Sequence, residues 1–252
     1  MSSAGISVAG RRVLVTGGGS GTGADLALGF ARAGAAQVVI CGRRADALAA
    51  IAAQHPAIVA LPCDVTDEAS VQALFAQAGK IGIVIANAGA ADSAPFAKTT
   101  LAQWNAMLAV NLTGVFLTFR EGLRQMDGWG RLIAVSSTAG LKGYAKVAPY
   151  AAAKHGVMGI VRSLALEVAR GQITVNAICP GFLDTDMTSH SVQVIAEKTG
   201  RTLDEARAIL AALSPQNRLY QPNEVTAAAL WLASEAAGGV NGTGISISGG
   251  EV

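Results

Sequence analysis

A short β-branched run, stopped by a cluster of glycines and followed at once by a helical pattern, limits this chain more than any other stretch. Arg12-Val13-Leu14-Val15-Thr16 ends at Gly17-Gly18-Gly19-Ser20-Gly21-Thr22-Gly23, and from Ala24 apolar residues recur at Leu26, Leu28, Phe30 and Ala33 up to Gly34. That is strand, glycine turn, helix. Gln37-Val38-Val39-Ile40-Cys41 reads as the next strand, so the unit is βαβ, with parallel strands and a right-handed crossover. A glycine turn in this position brings backbone N–H groups and a helix N-terminus against a pyrophosphate, and the missing side chains allow close approach.

The alternation continues along the chain. Helices are expected over 44–53, 67–77, 100 to about 126, 149–170 and 223–233, and strands over 57–61, 81–86, 131–136, 173–179 and 244–248. Strands that are apolar along their whole length belong to a parallel sheet covered on both faces. The expected fold is therefore α/β: a Rossmann-type, doubly wound, seven-stranded parallel sheet with helices on both faces, in one domain spanning 1–252. Only 184–217 breaks the rhythm. It shows no strand, and two short helices are expected instead, one from Ser191 to a Gly200 stop and one from Thr202. Thr202 with Glu205 is a capping-box pattern, followed by Leu203, Ala206, Ile209, Leu210 and Leu213 on one side. An insertion there emerges on the carboxyl edge of the sheet, where ligands bind, so it reads as a substrate lid; the alternative is a surface hairpin with no role.

Composition excludes several classes. The chain is 51% hydrophobic and 14% charged, yet no run of ~18 uninterrupted apolar residues could span a bilayer. The first ten residues hold no Lys or Arg and no long apolar block, so no secretory signal is read and a cytoplasmic location is expected. Cys41, Cys63 and Cys179 lie in apolar runs and read as free core thiols. His55, His155 and His190 have no metal-ligand spacing, so no metal site is expected. A net charge of +2 without a basic block gives no footprint for nucleic acid.

The end of the second strand addresses the cofactor. Cys41-Gly42-Arg43-Arg44 offers arginines where an NAD site usually has an acid, and the nearest acid, Asp46, already lies in the next helix. NADP(H) is favoured, with Arg43 first and Arg44 second as the 2′-phosphate partner; NAD(H) stays open if both are solvated surface residues. Tyr150-Ala151-Ala152-Ala153-Lys154 follows Ser137 by thirteen residues. Residues at i and i+4 share a helix face, so an ammonium can lie beside a phenol and favour its ionised form. Alone, such a pair also arises by chance on an Ala-rich helix.

Together the residues resemble the short-chain dehydrogenase/reductase family, in its compact single-domain branch, and within it the 3-oxoacyl reductases and 3-hydroxyacyl dehydrogenase-like ketoreductases. The likeness runs from Thr16-Gly17-x-x-x-Gly21-x-Gly23 through Cys63-Asp64-Val65, Asn87-Ala88-Gly89, Asn111, Ser137 and Tyr150-x-x-x-Lys154 to Pro180-Gly181-Phe182-Leu183-Asp184-Thr185 and Gly249-Gly250. It implies hydride transfer between a ketone and a secondary alcohol, with Asn111, Ser137, Tyr150 and Lys154 catalytic. It also implies a cofactor held by Gly17, Ser20, Gly21, Thr22, Gly23, Arg43, Arg44, Asp64, Val65, Asn87, Ala88, Gly89, Tyr150, Lys154, Pro180, Gly181, Leu183 and Thr185. Asp64 and Val65 would face the adenine, and Asn111 would hold a water beside Lys154 through a distortion of its helix. Thr22 and Ala86 depart from the family's usual residues without touching the proton path.

Loops after Ser137 and Ala90, with the lid, would line the substrate pocket, and Phe96, Leu141, Tyr144, Phe182, Met187 and Val192 are its candidate walls. Their apolar character points to a hydrophobic ketone or 3-oxoacyl compound. A homotetramer is expected: the helix at 149–170 is rich in Ala151, Ala152, Ala153, Gly156 and Gly159, and the helix from Thr100 is apolar around its circumference. Sedimentation as a monomer would count against it. The competing class, a dinucleotide-binding protein without turnover, is disfavoured because all four catalytic residues are present.

Overall fold

The computed structural model describes residues 7–252; the first six, part of the stretch read above for a leader segment, lie outside it. Strand β1 (Arg12–Thr16) leads through the glycine turn into helix α1 (Gly21–Arg32), and β2 (Gln37–Gly42), α2 (Ala45–Ala52), β3 (Ile58–Pro62), α3 (Glu68–Ala78) and β4 (Ile83–Ala86) follow. The chain then runs through α4 (Leu101–Leu108), α5 (Gly114–Gln125), β5 (Trp129–Val135), α6 (Ala148–Val168), β6 (Gln172–Pro180), α7 (Asp186–Thr199), α8 (Leu203–Ala211), α9 (Pro222–Ala233) and β7 (Gly244–Ile247). The seven strands form one sheet in the order β3-β2-β1-β4-β5-β6-β7, every pair parallel.

The register shows why the strands read as unbroken apolar runs. Val13 pairs with Val38 and Leu14 with Val39. Val13, Val15, Val38 and Ile40 face one core, packed beneath Leu26 and Phe30 of α1 and Val225 and Leu232 of α9. Leu14, Val39 and Cys41 face the other, which is filled by Phe75 of α3, Phe119 of α5 and Val157 and Val161 of α6. Alternate residues thus serve opposite layers, and neither face of the central strands meets water. Each fully buried Val, Leu or Ile side chain adds about 1.5–3 kcal/mol to that packing. Among the described residues no helix is long and apolar enough to cross a membrane.

Three expectations need correction. The helix expected from 100 to about 126 is one path interrupted by a π-helical turn at Ala109–Thr113, and α4 buries no residue within the chain. The first lid helix begins at Asp186, five residues before Ser191, because extended Thr185 precedes it and Asp186 places a carboxylate in its first turn. On α8 the Thr202/Glu205 capping box forms as expected, but only Ala206 and Leu210 are buried, while Leu203, Ile209 and Leu213 stay exposed. The small residues of α6 are also partly spoken for within the chain: Ala153 is buried, and a side chain at Gly156 would lie 2.9 Å from Leu112.

Candidate active site

At the carboxyl ends of β1 and β4, backbone approaches backbone. Gly17 and Gly21 take left-handed φ values of +69° and +51°, which only glycine adopts without strain. A Cβ on Gly17 would sit 2.9 Å from the Ala88 Cα, and one on Gly23 would overlap the Gly17 carbonyl oxygen and lie 2.6 Å from Asn87 Nδ2. Asn87 is the clamp: its Nδ2 donates to the carbonyls of Thr16 at 2.9 Å and Gly17 at 3.4 Å. Thr16 Oγ1, missed at the sequence level, accepts from the backbone N–H groups of Asn87 and Ala88, both at 3.0 Å. The Gly17 and Gly18 amides both donate to the Cys41 carbonyl, tying the turn to β2.

The start of α1 fits an anionic group. Ser20 makes no side-chain capping bond and no acid lies in the first turn, so among the described residues no side chain caps the first N–H groups. Arg44 reaches across from the start of α2 and donates from Nη2 to Ser20 Oγ at 3.0 Å. Of the two arginines, Arg44 is thus the one joined to the glycine turn. Arg43 lies on the Asp64 side. The carboxyl of Asp64 is held below its ordinary range first by bonds from the backbone and hydroxyl of Thr66, at 2.9 and 2.8 Å, and to a smaller extent by the charge of Arg43. Val65 turns inward, where a side chain on Gly114 would meet it at 2.9 Å.

Asn111, Ser137, Tyr150 and Lys154 converge beside that turn. Lys154 lies on the buried stripe of α6 with Val157, Met158, Val161 and Ala165, and only 4% of it is exposed. Its Nζ donates to the Val135 carbonyl at 2.8 Å and stands 5.6 Å from the Tyr150 ring centroid. A side chain on Gly89 would lie 3.8 Å from that Nζ and 2.8 Å from Asn111 Oδ1, so the glycine keeps this approach open. Asn111 sits in the π-helical turn, fully buried, and its amide is tied to the backbone of Ala90 and Met107. Ser137 ends the extended segment after β5, where its Oγ accepts from the Ala139 amide at 3.1 Å.

Electrostatics here depart from the simple pairing read from the sequence. Burial raises the pKa of the Tyr150 phenol, and a hydrogen bond with Ser137 opposes that rise. Burial also pulls the Lys154 ammonium down to about 8, a shift weakly countered by Cys179. Desolvation disfavours both charged forms, so in the protein alone it outweighs any help the ammonium gives the phenolate. The result is a neutral phenol beside an amine that changes charge near neutral pH.

The candidate pocket walls divide. Phe96 and Met187 are exposed. Leu141 packs against the central core, whereas Phe182 and Val192 belong to a small core inside the lid with Leu210 and Leu219. Val192 is 6% exposed and thus supports the lid from within rather than forming its surface. Tyr144 bonds to Thr138 and Glu251. Thr185 comes within 3.5 Å of where a Gly21 side chain would begin, bringing the segment after β6 against the glycine turn. Asp184 is bridged to Arg207 of α8 at 2.7 Å, and that bond holds its carboxyl below the usual range. Sequence reading missed Arg207 and Glu251, and no local signal marks them, because each works through a partner distant in the chain. An open cleft of about 570 Å³ lies at the opposite edge of the sheet, between the ends of α3 and α5, far from these groups.

The short chain dehydrogenase family model matches residues 11–195. The chain is 36% identical to D-beta-hydroxybutyrate dehydrogenase of Cupriavidus necator, over 96% of this chain and 98% of that protein. It is 37% identical to acetoacetyl-CoA reductase of Shinella zoogloeoides, over 96% and 98% of the two chains. A structure of an actinorhodin polyketide ketoreductase variant with NADPH superposes with a TM-score of 0.90 at 31% identity, covering 96% of this chain and 97% of that one. With the glycine turn, the seven-stranded parallel sheet and these relatives in agreement, the chain belongs to the short-chain dehydrogenase/reductase family of oxidoreductases.

Proposed function

We propose that this protein is an NADP(H)-dependent ketoreductase that interconverts a hydrophobic ketone or 3-oxoacyl compound and its secondary alcohol. The observation that carries the reading is the convergence of Ser137, Tyr150 and Lys154 beside the glycine turn. The nicotinamide cofactor supplies or takes up the hydride. The glycine turn, the uncapped start of α1 and Thr185 would hold its pyrophosphate and carboxamide ends. Arg44, on the turn, and Arg43, near Asp64, would meet a 2′-phosphate, and no acid at the end of β2 competes for a 2′-hydroxyl.

The protein's own part is proton management. Ser137 and Tyr150 hydroxyls bind the substrate carbonyl oxygen, and Tyr150 gives it a proton in the reductive direction. A neutral phenol, as burial makes it, is the correct form for that donation. Lys154, with its pKa near 8, can replenish the proton within the working range. Asn111 anchors the π-helical turn facing Lys154 and Gly89, the route by which water would reach the amine. The apolar exposed side chains Phe96 and Met187, and the acetoacetyl and hydroxybutyrate chemistry of two relatives, support the 3-oxoacyl class. The outward Phe116 and Leu166 support assembly through α5 and α6 as a homotetramer.

The test is a panel of ketones, diketones and acetoacetyl thioesters assayed with NADPH and with NADH. Turnover with higher kcat/KM for NADPH is expected; a clear NADH preference points to the alternative of an NAD-dependent alcohol or 3-hydroxyacid dehydrogenase. Tyr150→Phe should lower kcat by ~10²–10⁴-fold while cofactor affinity, read by fluorescence titration, is kept. Full activity in that variant would overturn the mechanism.

A further inference from the structure

We propose that Glu251, in the segment after β7, is a positioning residue for substrate recognition: it fixes Tyr144 beside the reacting carbonyl as a hydrogen-bond acceptor. The site then favours substrates with an N–H or O–H donor near that carbonyl over those with a carboxylate. This rests on the ketoreductase reading above.

Glu251 is an unusual carboxylate. Its side chain is only 4% exposed, and burial of an acid without partners is costly. Two left-handed glycines, Gly249 at φ +60° and Gly250 at φ +92°, turn the chain so that it reaches back toward the site. There its Oε1 takes the Tyr144 hydroxyl at 2.5 Å and the Lys142 ammonium at 3.0 Å. Its other oxygen reaches the end of β6, 3.4 Å from where a Gly181 side chain would begin. Lys142 also lies 5.0 Å from the Tyr144 ring centroid. The loop after β5, the end of β6 and the segment after β7 are therefore joined through one side chain.

Proton counting gives the arrangement a direction. The Tyr144 oxygen also lies 2.6 Å from Thr138 Oγ1, and a phenol carries one proton. An ionised carboxylate can only accept, so Tyr144 donates to Glu251 and the Thr138 hydroxyl donates to Tyr144. One lone pair on the phenol oxygen is left, and no donor. Thr138 adjoins Ser137, which is hydrogen-bonded to Tyr150, and Tyr150 adds a small contribution against ionisation of the Tyr144 phenol. The spare lone pair is thus beside the carbonyl position, where it accepts from a donor and repels a carboxylate.

Three compounds of nearly equal size separate the cases: acetoacetamide, with an N–H donor; methyl acetoacetate, with none; and acetoacetate, with a carboxylate. In the unaltered protein with NADPH, kcat/KM should fall in that order, with about tenfold between amide and ester, as expected for one hydrogen bond. In Glu251→Ala and Tyr144→Phe the amide advantage should disappear through KM, with NADPH affinity unchanged. The double variant should lose no more than either single one, since the two act in series. Glu251→Gln keeps an oxygen to accept from Tyr144 and should restore much of the discrimination; it carries the test if Glu251→Ala does not fold. An amide-to-ester ratio that is the same in all variants, or a uniform loss accompanied by weaker NADPH binding, overturns the inference. A protein that reduces none of the three, nor any carbonyl of the wider panel, instead overturns the ketoreductase reading.

Discussion

The two ends of this site are built by opposite rules. At the turn after β1, position is enforced by backbone lying against backbone: Gly17 on Ala88 and Gly23 on the Gly17 carbonyl, with Asn87 and Thr16 clamping the two together. In the loops after β5 and β6, position is enforced by side chains that reach across the molecule. Tyr144 meets Glu251 107 residues away, and Asp184 meets Arg207. The first kind tolerates almost no change, because a close-packed backbone has nowhere to move. The second kind can be rewritten one residue at a time, and it surrounds the part of the site that meets substrate. A fold that binds one cofactor and many substrates needs both.

Breaking the turn should do the most damage. Gly23→Ala puts a Cβ into the Gly17 carbonyl and near Asn87, and relieving such overpacking typically costs ~1–3 kcal/mol or more. NADPH affinity in a fluorescence titration should drop by at least tenfold, together with a lower melting temperature. Wild-type affinity in that variant would mean that the turn is softer than its packing implies.

A middle-sized effect belongs to Lys154, which stands between the two ends. Its folded pKa of about 8 is below the ordinary 10.5, so the unfolded chain binds more protons between these values and stability rises with pH across that window. Measured against Lys154→Met, the gain should be on the order of 1–3 kcal/mol in urea unfolding from pH 8 to 10.5. Lys154→Met should lack this contribution, so its stability falls increasingly below that of the unaltered protein as pH rises; the same pH dependence in both would place the origin elsewhere. Ionisation of Cys41, Cys179 and Tyr150, whose pKa values are raised, acts in the opposite sense in the upper part of this window, and the comparison of the two proteins isolates the lysine.

The smallest effect is expected in the lid. Arg207→Ala removes an ion pair whose side chains are 43% and 34% exposed, worth about 0–1 kcal/mol. Substrate KM should rise no more than a few fold while cofactor affinity stays put. A tenfold loss of NADPH affinity would show that lid and turn are not independent.

What could be read from the sequence follows the same division. Strands, helices and glycine turn are local patterns, and the seven strands, α1 and the Tyr150/Lys154 face were legible because spacing alone determines them. The start of α7 was not, since Met187-Thr188-Ser189-His190 has no apolar periodicity and its helix depends on Thr185 and Asp186 at its entrance. The π-helical turn at Asn111 could not be read from spacing; the family resemblance alone implied a distortion there, and the bonds to Ala90 and Met107 that accompany it join residues outside the local pattern. The electrostatics of Tyr150 needed burial, which the sequence does not carry: an adjacent lysine suggested a lowered pKa, and desolvation raises it. Glu251 lay beyond reach altogether, because its partners are fixed only once the sheet is closed.

The strand order has a consequence for the birth of the protein. β1 lies inside the sheet, with β2 on one side and β4 on the other. On the ribosome, β1 to β3 can pair as soon as they emerge, but the opposite edge of Val13, Leu14 and Val15 stays bare until Ile83 has been made. For that interval the growing chain carries an open apolar strand edge, a template that another nascent chain can occupy. Substitutions that delay α3, the connection leading to β4, should therefore lower the yield of soluble protein while leaving the finished molecule as stable as before.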